Sequence, residues 1–363
     1  MHAALLTNTA WLDDELTAFQ QLTVGLVDEQ VRLTRIMPDN MGGQELGLGD
    51  VSLFGRKLTW KESRFPAVNH RRVVKLCEAI DNEGVELIHA LHGDLWQPAA
   101  VIGDQLDLPV IFNAASGEDV RLAVKLVKQL NPTRSVFCAT TEPIAAELRQ
   151  QTENLVRIEA VVPGVHVGDP HLHDRTPGEA PCIAVCGDGV MDGQYQELLA
   201  GIKLLVASRP DVQFFFDGQR TDQHQVWKAA QRMGLLPNLS FVPRRLGHRE
   251  MLLMADAIVH PQSLERSRSV TLLAMAQAVP VLAAADGMLD YLIPDHTAWV
   301  LEQPDAEAWA DLLMRVVRHP DDAADLGLRA RSWVHDERLA SDQIERTLSL
   351  YRSACGAPLA FPG

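Results

Sequence analysis

The stretch at residues 257–283 constrains the fold of this 363-residue chain more than any other. An apolar run at 257–259 leads into a polar loop, and the loop leads into the helical run LLAMA at 272–276. Pro280 then opens a second apolar run. Two apolar runs separated by a helical segment are typical of a βαβ unit.

The same alternation extends over the rest of the chain. Short apolar runs are separated by segments with the helical spacing of apolar residues, which predicts an α/β fold with parallel sheets. The predicted strands lie at residues 3–7, 31–36, 87–90, 109–113, 135–139, 157–161, 182–186, 213–216, 239–242, 257–260 and 280–283. The predicted helices lie at residues 15–29, 71–83, 119–130, 194–207, 223–234, 249–254, 270–276, 305–318 and 339–354.

The alternation is interrupted once, by the sequence PGVHVGDPHLHDRTPGEA at residues 163–180. This segment is rich in Pro, Gly, His and Asp and has almost no apolar periodicity, which favours an interdomain hinge. The chain length suits two domains of roughly 100–200 residues each. We therefore predict an N-terminal domain at 1–165, a hinge at 166–180, a C-terminal domain at 181–338, and a C-terminal helix and tail at 339–363.

Composition limits the function classes. A formal net charge of -15 argues against a dedicated nucleic-acid binder, because phosphate backbones require clustered cations. The sequence shows no secretory signal, and no apolar run reaches the roughly 18–20 residues of a membrane span. Five scattered cysteines without a framework spacing suit a reducing compartment. We expect a cytoplasmic protein.

The sequence HPQSLERSRSVTLLAMAQAVPVLA at residues 260–283 resembles a signature of the retaining glycosyltransferases with the GT-B fold, most closely those of family 4. The family pattern reads roughly Pro-Ser-x-x-Glu-x-Phe-Gly-x-x-x-x-Glu-Ala-Met-Ala-x-Gly-x-Pro-Val. Leu273 replaces the second glutamate of that pattern, and Ala278 replaces its last glycine. The matching residues are Pro261, Glu265, Ala274, Met275, Ala276, Pro280 and Val281.

This resemblance implies two facing Rossmann-like domains with an interdomain cleft, and a C-terminal helix that packs back on the first domain. It also implies transfer of a sugar from a nucleotide-sugar donor with retention of configuration. By resemblance, Glu265 would bind the hydroxyl groups of the sugar. The alternative is a loop carboxylate near a helix start. Leu273 cannot accept a hydrogen bond from a ribose, so nucleotide binding is expected to be weakened.

A second family element is a loop of the form Gly-Arg…Lys-Gly, whose cations hold the diphosphate. The sequence CGDGVMDG at residues 186–193 keeps Gly187 and Gly189 but has Asp188 and Asp192 at the basic positions. A unit charge pair about 4 Å apart interacts by on the order of 4 kcal/mol at an effective dielectric constant of about 20, so this inversion opposes diphosphate binding. The alternatives are that both carboxylates cap the next helix or lie in solvent, or that they hold a metal such as Mg²⁺ beside a phosphate.

The loop that opens helix 270–276 carries compensating cations. Arg266 and Arg268, near a helix N-terminus, could form a rewired phosphate site, and the alternative is a pair of solvated arginines. Ser263 in the same loop is a further donor-binding candidate. Arg244, after the strand at 239–242, is a cleft candidate.

In the first domain, the family has a histidine in a Thr-x-His-Gly context. The run at 109–116 places Ala115 or Ser116 at that position, so no catalytic residue is assigned. His92, after the strand at 87–90, could point into the cleft from its carboxyl end, and the alternative is a structural histidine. The family's Gly-Gly loop is replaced by Trp-Leu-Asp-Asp at 11–14, and Glu15 matches an acidic position at the start of the following helix.

Two further clusters of charged or titratable residues could bind a ligand. Residues from Arg56 to Lys75 include seven cations, which suits an anionic membrane surface or an anionic acceptor, with an exposed loop and helix face as the alternative. Three histidines at 166, 171 and 173 lie in the predicted hinge, which favours a flexible loop over a metal site. We predict no metal and no cofactor beyond a nucleotide-sugar donor.

These observations leave open three functions. The first is a divergent or weak retaining transferase of hexosyl type, which acts on a glycan or lipid-linked acceptor. The second is an inactive pseudo-glycosyltransferase that binds a glycan or a partner glycosyltransferase. The third is a protein that handles a different donor or a non-sugar phosphate in the same cleft.

Overall fold

A computed structural model describes residues 1–38, 56–60, 66–169, 179–218, 224–242 and 248–356. The chain divides into two compact units. Unit 1 comprises Met1–Gly164, Glu265–Ser267 and Ala340–Gly363. Unit 2 comprises Val165–Leu264 and Arg268–Leu339.

Within its described residues, unit 1 contains a sheet of seven parallel strands in the order β3-β2-β1-β4-β5-β6-β7. Strand β1 is buried along its whole length, as expected of a parallel strand that is covered on both faces. The strands are β1 (His2–Leu6), β2 (Arg32–Pro38), β3 (Arg56–Trp60), β4 (Leu87–Ala90), β5 (Val110–Ala114), β6 (Ser135–Ala139) and β7 (Arg157–Ala160).

Helices connect these strands, and short 3-10 turns lie at Gly93–Leu95 and Val127–Gln129. The helices are α1 (Thr9–Asp28), α2 (Pro66–Glu83), α3 (Trp96–Leu106), α4 (Gly117–Leu126) and α5 (Glu142–Gln151).

Unit 2 repeats the plan with six parallel strands among its described residues, in the order β10-β9-β8-β11-β12-β13. Its strands are β8 (Cys182–Val185), β9 (Gln213–Asp217), β10 (Leu239–Val242), β11 (Ala257–His260), β12 (Val281–Ala284) and β13 (Trp299–Leu301). Its helices are α6 (Gly193–Ser208), α7 (His224–Met233), α8 (His248–Leu253), α9 (Ser269–Ala276), α10 (Ala306–Arg318) and α11 (Pro320–Glu337).

The sheet of unit 2 has a hydrophobic core on each face. Ile183 and Val185 of β8 belong to one core cluster, whereas Ala184 and Cys186 belong to the other. Successive residues of a strand point to opposite faces, so this division follows from the pleat.

The last helix, α12 (Ala340–Ala354), belongs to unit 1. Ile344, Leu348 and Tyr351 pack in the same core cluster as Phe19 of α1. The hydroxyl of Tyr351 also lies 2.8 Å from Nδ1 of the buried His89 in β4. A helix distant in sequence therefore completes the core of unit 1.

The predicted α/β class with parallel sheets is confirmed. The first helix, however, begins at Thr9 rather than at residue 15, because Asn8 caps it by accepting a hydrogen bond from Trp11 N–H. Residues 11–14 therefore lie inside α1. Glu15 is buried at a kink within that helix rather than at a helix start. The predicted helix at 119–130 is shorter, and helices α3, α5 and α11 were not predicted.

Residues 170–178 of the predicted hinge lie outside the described residues, and so do residues 61–65 of the basic segment. Arg244 also lies outside them. In the part of the chain that is described, none of the helices combines the length and apolarity needed to cross a bilayer.

Candidate functional site

The order of the strands in unit 2 reverses direction between β8 and β11. Strands β9 and β10 lie on one side of β8, and β12 and β13 lie on the other side of β11. The loops that follow β8 and β11, at residues 186–192 and 261–268, therefore leave neighbouring carboxyl ends of the sheet. Ligands of open α/β sheets bind at this switch point, so residues 186–192 and 261–264 of these loops frame the candidate site of unit 2.

Both predicted acidic residues of the first loop form local hydrogen bonds. Oδ1 of Asp188 accepts a hydrogen bond from Val190 N–H at 2.7 Å. Asp192 is the N-cap of α6 and accepts from Tyr195 N–H at 2.8 Å. A helix N-terminus is a natural anion site, and here it already has a carboxylate of the chain itself.

Two different local constraints favour glycine at positions 187 and 189 of this loop. Gly189 has a φ of 80°, which favours glycine. A Cβ on Gly187 would overlap the ring of the buried Tyr195. Both positions therefore shape the loop without a ligand.

Gln262, which the sequence analysis did not single out, links the two loops. Its side chain is buried, and its Nε2 donates to Asp192 Oδ2 at 2.8 Å and to Val190 O at 3.2 Å. Its Oε1 accepts from Asp188 N–H at 3.3 Å. The signal that could have found it is the family pattern, which has serine at this position.

Arg268 is not a solvated arginine. It is 4% exposed, and its Nη2 lies 3.2 Å from Oδ2 of the equally buried Asp217 at the end of β9. Nη1 donates to Cys186 O at 3.1 Å, and Nε2 of buried His248 lies 3.1 Å from the same Asp217 oxygen. Arg268 is thus part of a buried charge network beneath the first loop. Asp217 and His248 have no recognisable sequence signal.

His260 ends β11 inside the same region. Burial, together with the nearby Arg268, lowers the pKa of His260 to about 3. Its Nε2 lies 2.9 Å from Oγ1 of Thr271. The imidazole is therefore neutral at physiological pH and forms its hydrogen bond with Thr271 at a half-buried position.

The remaining predicted residues of unit 2 differ in their surroundings. The N–H of Ser263 donates to Gln194 Oε1 at 2.9 Å at an exposed position. Leu273 is half-buried against the core, and Ala278 has a φ of 61° where the family pattern has glycine. Alanine is strained at that φ, which favours glycine.

Unit 1 has its own switch point, between β1 and β4. Asn8, which follows β1, lies with its Nδ2 3.0 Å from Nδ1 of His92, which follows β4. The same amide donates to Asp94 Oδ2 at 3.3 Å. The side chain of His92 is 27% exposed and that of Asp94 is 68% exposed. This edge presents accessible polar groups.

Ser116 lies on the next strand end, where it caps α4. Its Oγ accepts from Asp119 N–H at 3.1 Å and donates to Asp119 Oδ2 at 2.9 Å. Burial raises the pKa of Asp119, although hydrogen bonds from Ala115 and Ser116 oppose the shift. Asp119 was missed by the sequence analysis, and the capping pattern from Ser116 was its available signal.

Glu265 and Arg266 belong to unit 1 by their contacts. Arg266 forms an ion pair with Asp14 at 2.9 Å, and Glu265 lies 3.5 Å from Arg121. Gly117 N–H donates to Glu265 O at 2.8 Å. The predicted pair of cations is thus divided, with Arg266 in unit 1 and Arg268 in unit 2.

Two other clusters add little to the site. In the described residues, no group of three His, Cys, Asp or Glu side chains is placed to hold a metal ion. Of the basic segment, Arg71 and Lys75 are exposed on α2 and Lys57 is half-buried on β3.

This chain is similar to a known protein family and to several solved structures. Residues 177–333 match the family model described as glycosyl transferases group 1. No similar protein was found among curated proteins.

Solved structures match over nearly the whole chain. Sucrose-phosphate synthase from Thermosynechococcus elongatus has a TM-score of 0.76 at 16% identity, covering 99% of this chain and 100% of that chain. HepE from Anabaena, in complex with UDP-glucose, has a TM-score of 0.75 at 15% identity, covering 96% and 100%. WaaG, a glycosyltransferase involved in lipopolysaccharide biosynthesis, has a TM-score of 0.71 at 15% identity, covering 97% and 99%. At these identities the likeness establishes the fold.

Proposed function

We propose that this glycosyltransferase-like protein is a divergent retaining transferase with a weak donor site. It has a glycosyl transferases group 1 domain at residues 177–333 and a GT-B fold. Its donor is a sugar nucleotide and its acceptor a glycan or a lipid-linked sugar. Retention of configuration is taken over from the resemblance to family 4.

The observation that carries this proposal is the switch point of unit 2. There the glycine loop at 186–192 follows β8 and leads directly into α6, beside the loop that follows β11. A glycine loop that opens a helix at a switch point is the arrangement that binds nucleotide phosphates in α/β proteins. HepE, whose fold this chain shares, was solved with UDP-glucose, which makes that compound the first donor to test.

Weak binding follows from the charges of the loop. Asp188 and Asp192 lie at the positions where the family has cations, and Arg268 is neutralised by Asp217. Replacing attraction by repulsion at two positions opposes a diphosphate by several kcal/mol, on the order of 4 kcal/mol for each pair at 4 Å before screening. We expect dissociation constants for donors in the millimolar range, on the order of 4 kcal/mol of binding free energy.

A second candidate function is a non-catalytic scaffold that binds a glycan or a partner glycosyltransferase. The buried side chain of Gln262 favours it, because its amide occupies polar groups of the loop that a diphosphate would need. Carboxylates at positions 188 and 192 of the loop also suit a different donor or a non-sugar phosphate.

The basic segment suggests where the acceptor lies. Exposed Arg71 and Lys75 suit contact with an anionic lipid surface on the cytoplasmic side, to which a lipid-linked acceptor would be anchored. Binding to vesicles that increases with the fraction of anionic lipid supports this location. Binding that ignores lipid charge counts against it.

The experiment is a thermal-shift screen of sugar nucleotides, with and without Mg²⁺, followed by NMR of any transferred or hydrolysed sugar. A donor at ten times its dissociation constant stabilises the folded state by about 1.4 kcal/mol, which gives a measurable shift. The proposal predicts a shift with at least one donor and release of the sugar with its anomeric configuration retained. Silence across the panel at 10 mM, a concentration well above the dissociation constants expected on the order of 1 mM, would support the scaffold instead.

A further inference from the structure

We propose that Gln262 sets the affinity of the loop at 186–192 for a diphosphate, because its amide occupies the polar groups of the loop and must be displaced before a ligand binds. The proposal rests on the proposed function in taking the loop as the donor site. It adds the residue that makes this site weak.

The amide of Gln262 is buried and held in one orientation. Gln262 is 5% exposed, and two hydrogen-bond acceptors lie beside its Nε2 while a donor lies beside its Oε1. This pattern fixes which end of the amide is nitrogen. A buried amide with its donors and acceptor satisfied is held firmly in one position.

Several backbone N–H groups of the loop already have acceptors within the protein. Phosphates bind glycine loops through backbone N–H groups. Here Asp188 N–H donates to Gln262, Val190 N–H donates to the side chain of Asp188, and Asp192 N–H donates to Val190 O. Donors that would face a phosphate are therefore used inside the protein.

Gln262 differs from the other side chains that accept hydrogen bonds from the loop. The bonds of Asp188 to Val190 and of Asp192 to Tyr195 are local and shape the loop itself. Gln262 comes from the loop after β11, so its bonds hold the two loops together across the switch point. Shortening this one side chain releases Asp188 N–H and leaves the local turn and helix cap in place.

The test is Gln262→Ser, since serine is too short to reach the first loop and stands at this position in the family pattern. The control is Gln231→Ser, an exposed glutamine of α7 in the same unit. Calorimetry measures the dissociation constants of UDP-glucose and of inorganic pyrophosphate, and hydrogen exchange followed by mass spectrometry reports on residues 187–193.

We expect Gln262→Ser to bind both probes about tenfold more tightly than the wild type, which corresponds to the net loss of one or two hydrogen bonds that compete with the ligand. Exchange in residues 187–193 should be faster, and Gln231→Ser should match the wild type. If pyrophosphate binding is strengthened but UDP-glucose binds neither protein, the inference stands and the sugar-nucleotide function fails. If neither affinity differs from that of the control, the inference is overturned, whether or not exchange changes.

Discussion

The carboxyl edges of the two sheets have the same topology but satisfy their polar groups differently. In unit 1, His92 and Asp94 lie at the switch point with solvent-accessible side chains. In unit 2, the corresponding side chains are those of Gln262, Arg268 and Asp217. They are buried, and each forms hydrogen bonds inside unit 2. A switch point is thus a candidate site by topology, but its ability to take a ligand depends on whether its donors are already used.

The largest expected effect tests whether the unit 2 edge is part of the core. Arg268→Met leaves Asp217 as a buried charge without its guanidinium, and we expect a loss of about 3–5 kcal/mol in the free energy of unfolding. His92→Ala at the unit 1 edge should cost under about 1 kcal/mol, as is usual at partly exposed positions. Denaturant unfolding measures both.

The double variant Arg268→Met/Asp217→Asn is the matched control. Because it removes both charges, it should be more stable than Arg268→Met alone. An Arg268→Met protein as stable as His92→Ala would break the comparison, since the buried network would then contribute nothing.

The next effect concerns the packing of the glycine loop. Gly187→Ala places a methyl group against the ring of Tyr195 and should destabilise unit 2 by about 1–3 kcal/mol. Gly193→Ala, two residues before Tyr195 at the start of α6, meets open space and should be neutral or stabilising by up to about 1 kcal/mol. Thermal unfolding of the two variants decides. Equal melting temperatures would contradict the tight packing of Gly187.

The last comparison concerns a pH dependence in which the two units should behave alike. Burial lowers the pKa of His89 in unit 1 and of His260 in unit 2 to about 3. Between pH 6.5 and 3 the unfolded chain binds protons that the folded chain does not, so stability falls as the pH falls. Each histidine contributes about 1 kcal/mol per pH unit in this range.

The variants His89→Asn and His260→Asn remove these titrations one at a time. Each should flatten the loss of the free energy of unfolding between pH 6.5 and 4.5, and asparagine can keep the hydrogen bond of His89 Nδ1 to Tyr351. If the free energy of unfolding of either variant falls with pH as steeply as that of the wild type, the fold does not lower the pKa of that histidine.

Much of the fold could be predicted because periodicity is a local property. The runs at β4, β6, β10 and β11 have the bounds that their apolar residues indicate. The start of α1 was missed because the cap at Asn8 outweighs the apolar spacing that begins later. Helices α3 and α11 were missed for a related reason, since burial of Trp96 and of Ala330 depends on tertiary contacts.

The candidate site was less predictable, because it depends on pairs that are distant in sequence. A helix cap at Asp192 can be predicted from the three residues that follow it. The structure shows this cap, with a hydrogen bond from Tyr195 N–H to Asp192. The partner of Arg268 is Asp217, 51 residues away, and no local pattern indicates that pairing. Gln262 carried a signal, a departure from the family pattern, but its role required the distances to the other loop.

The most direct test of the proposed donor site is to place cations in the loop at 186–192. In Asp188→Arg/Asp192→Lys, cations occupy the two positions where the similar family pattern has them. The dissociation constant of UDP-glucose is measured by calorimetry at low and high salt. We expect at least about hundredfold tighter binding than in the wild type, strongly weakened by salt, because repulsion becomes attraction at two positions. A folded variant with the affinity and salt dependence of the wild type would contradict the claim that this loop is the donor site.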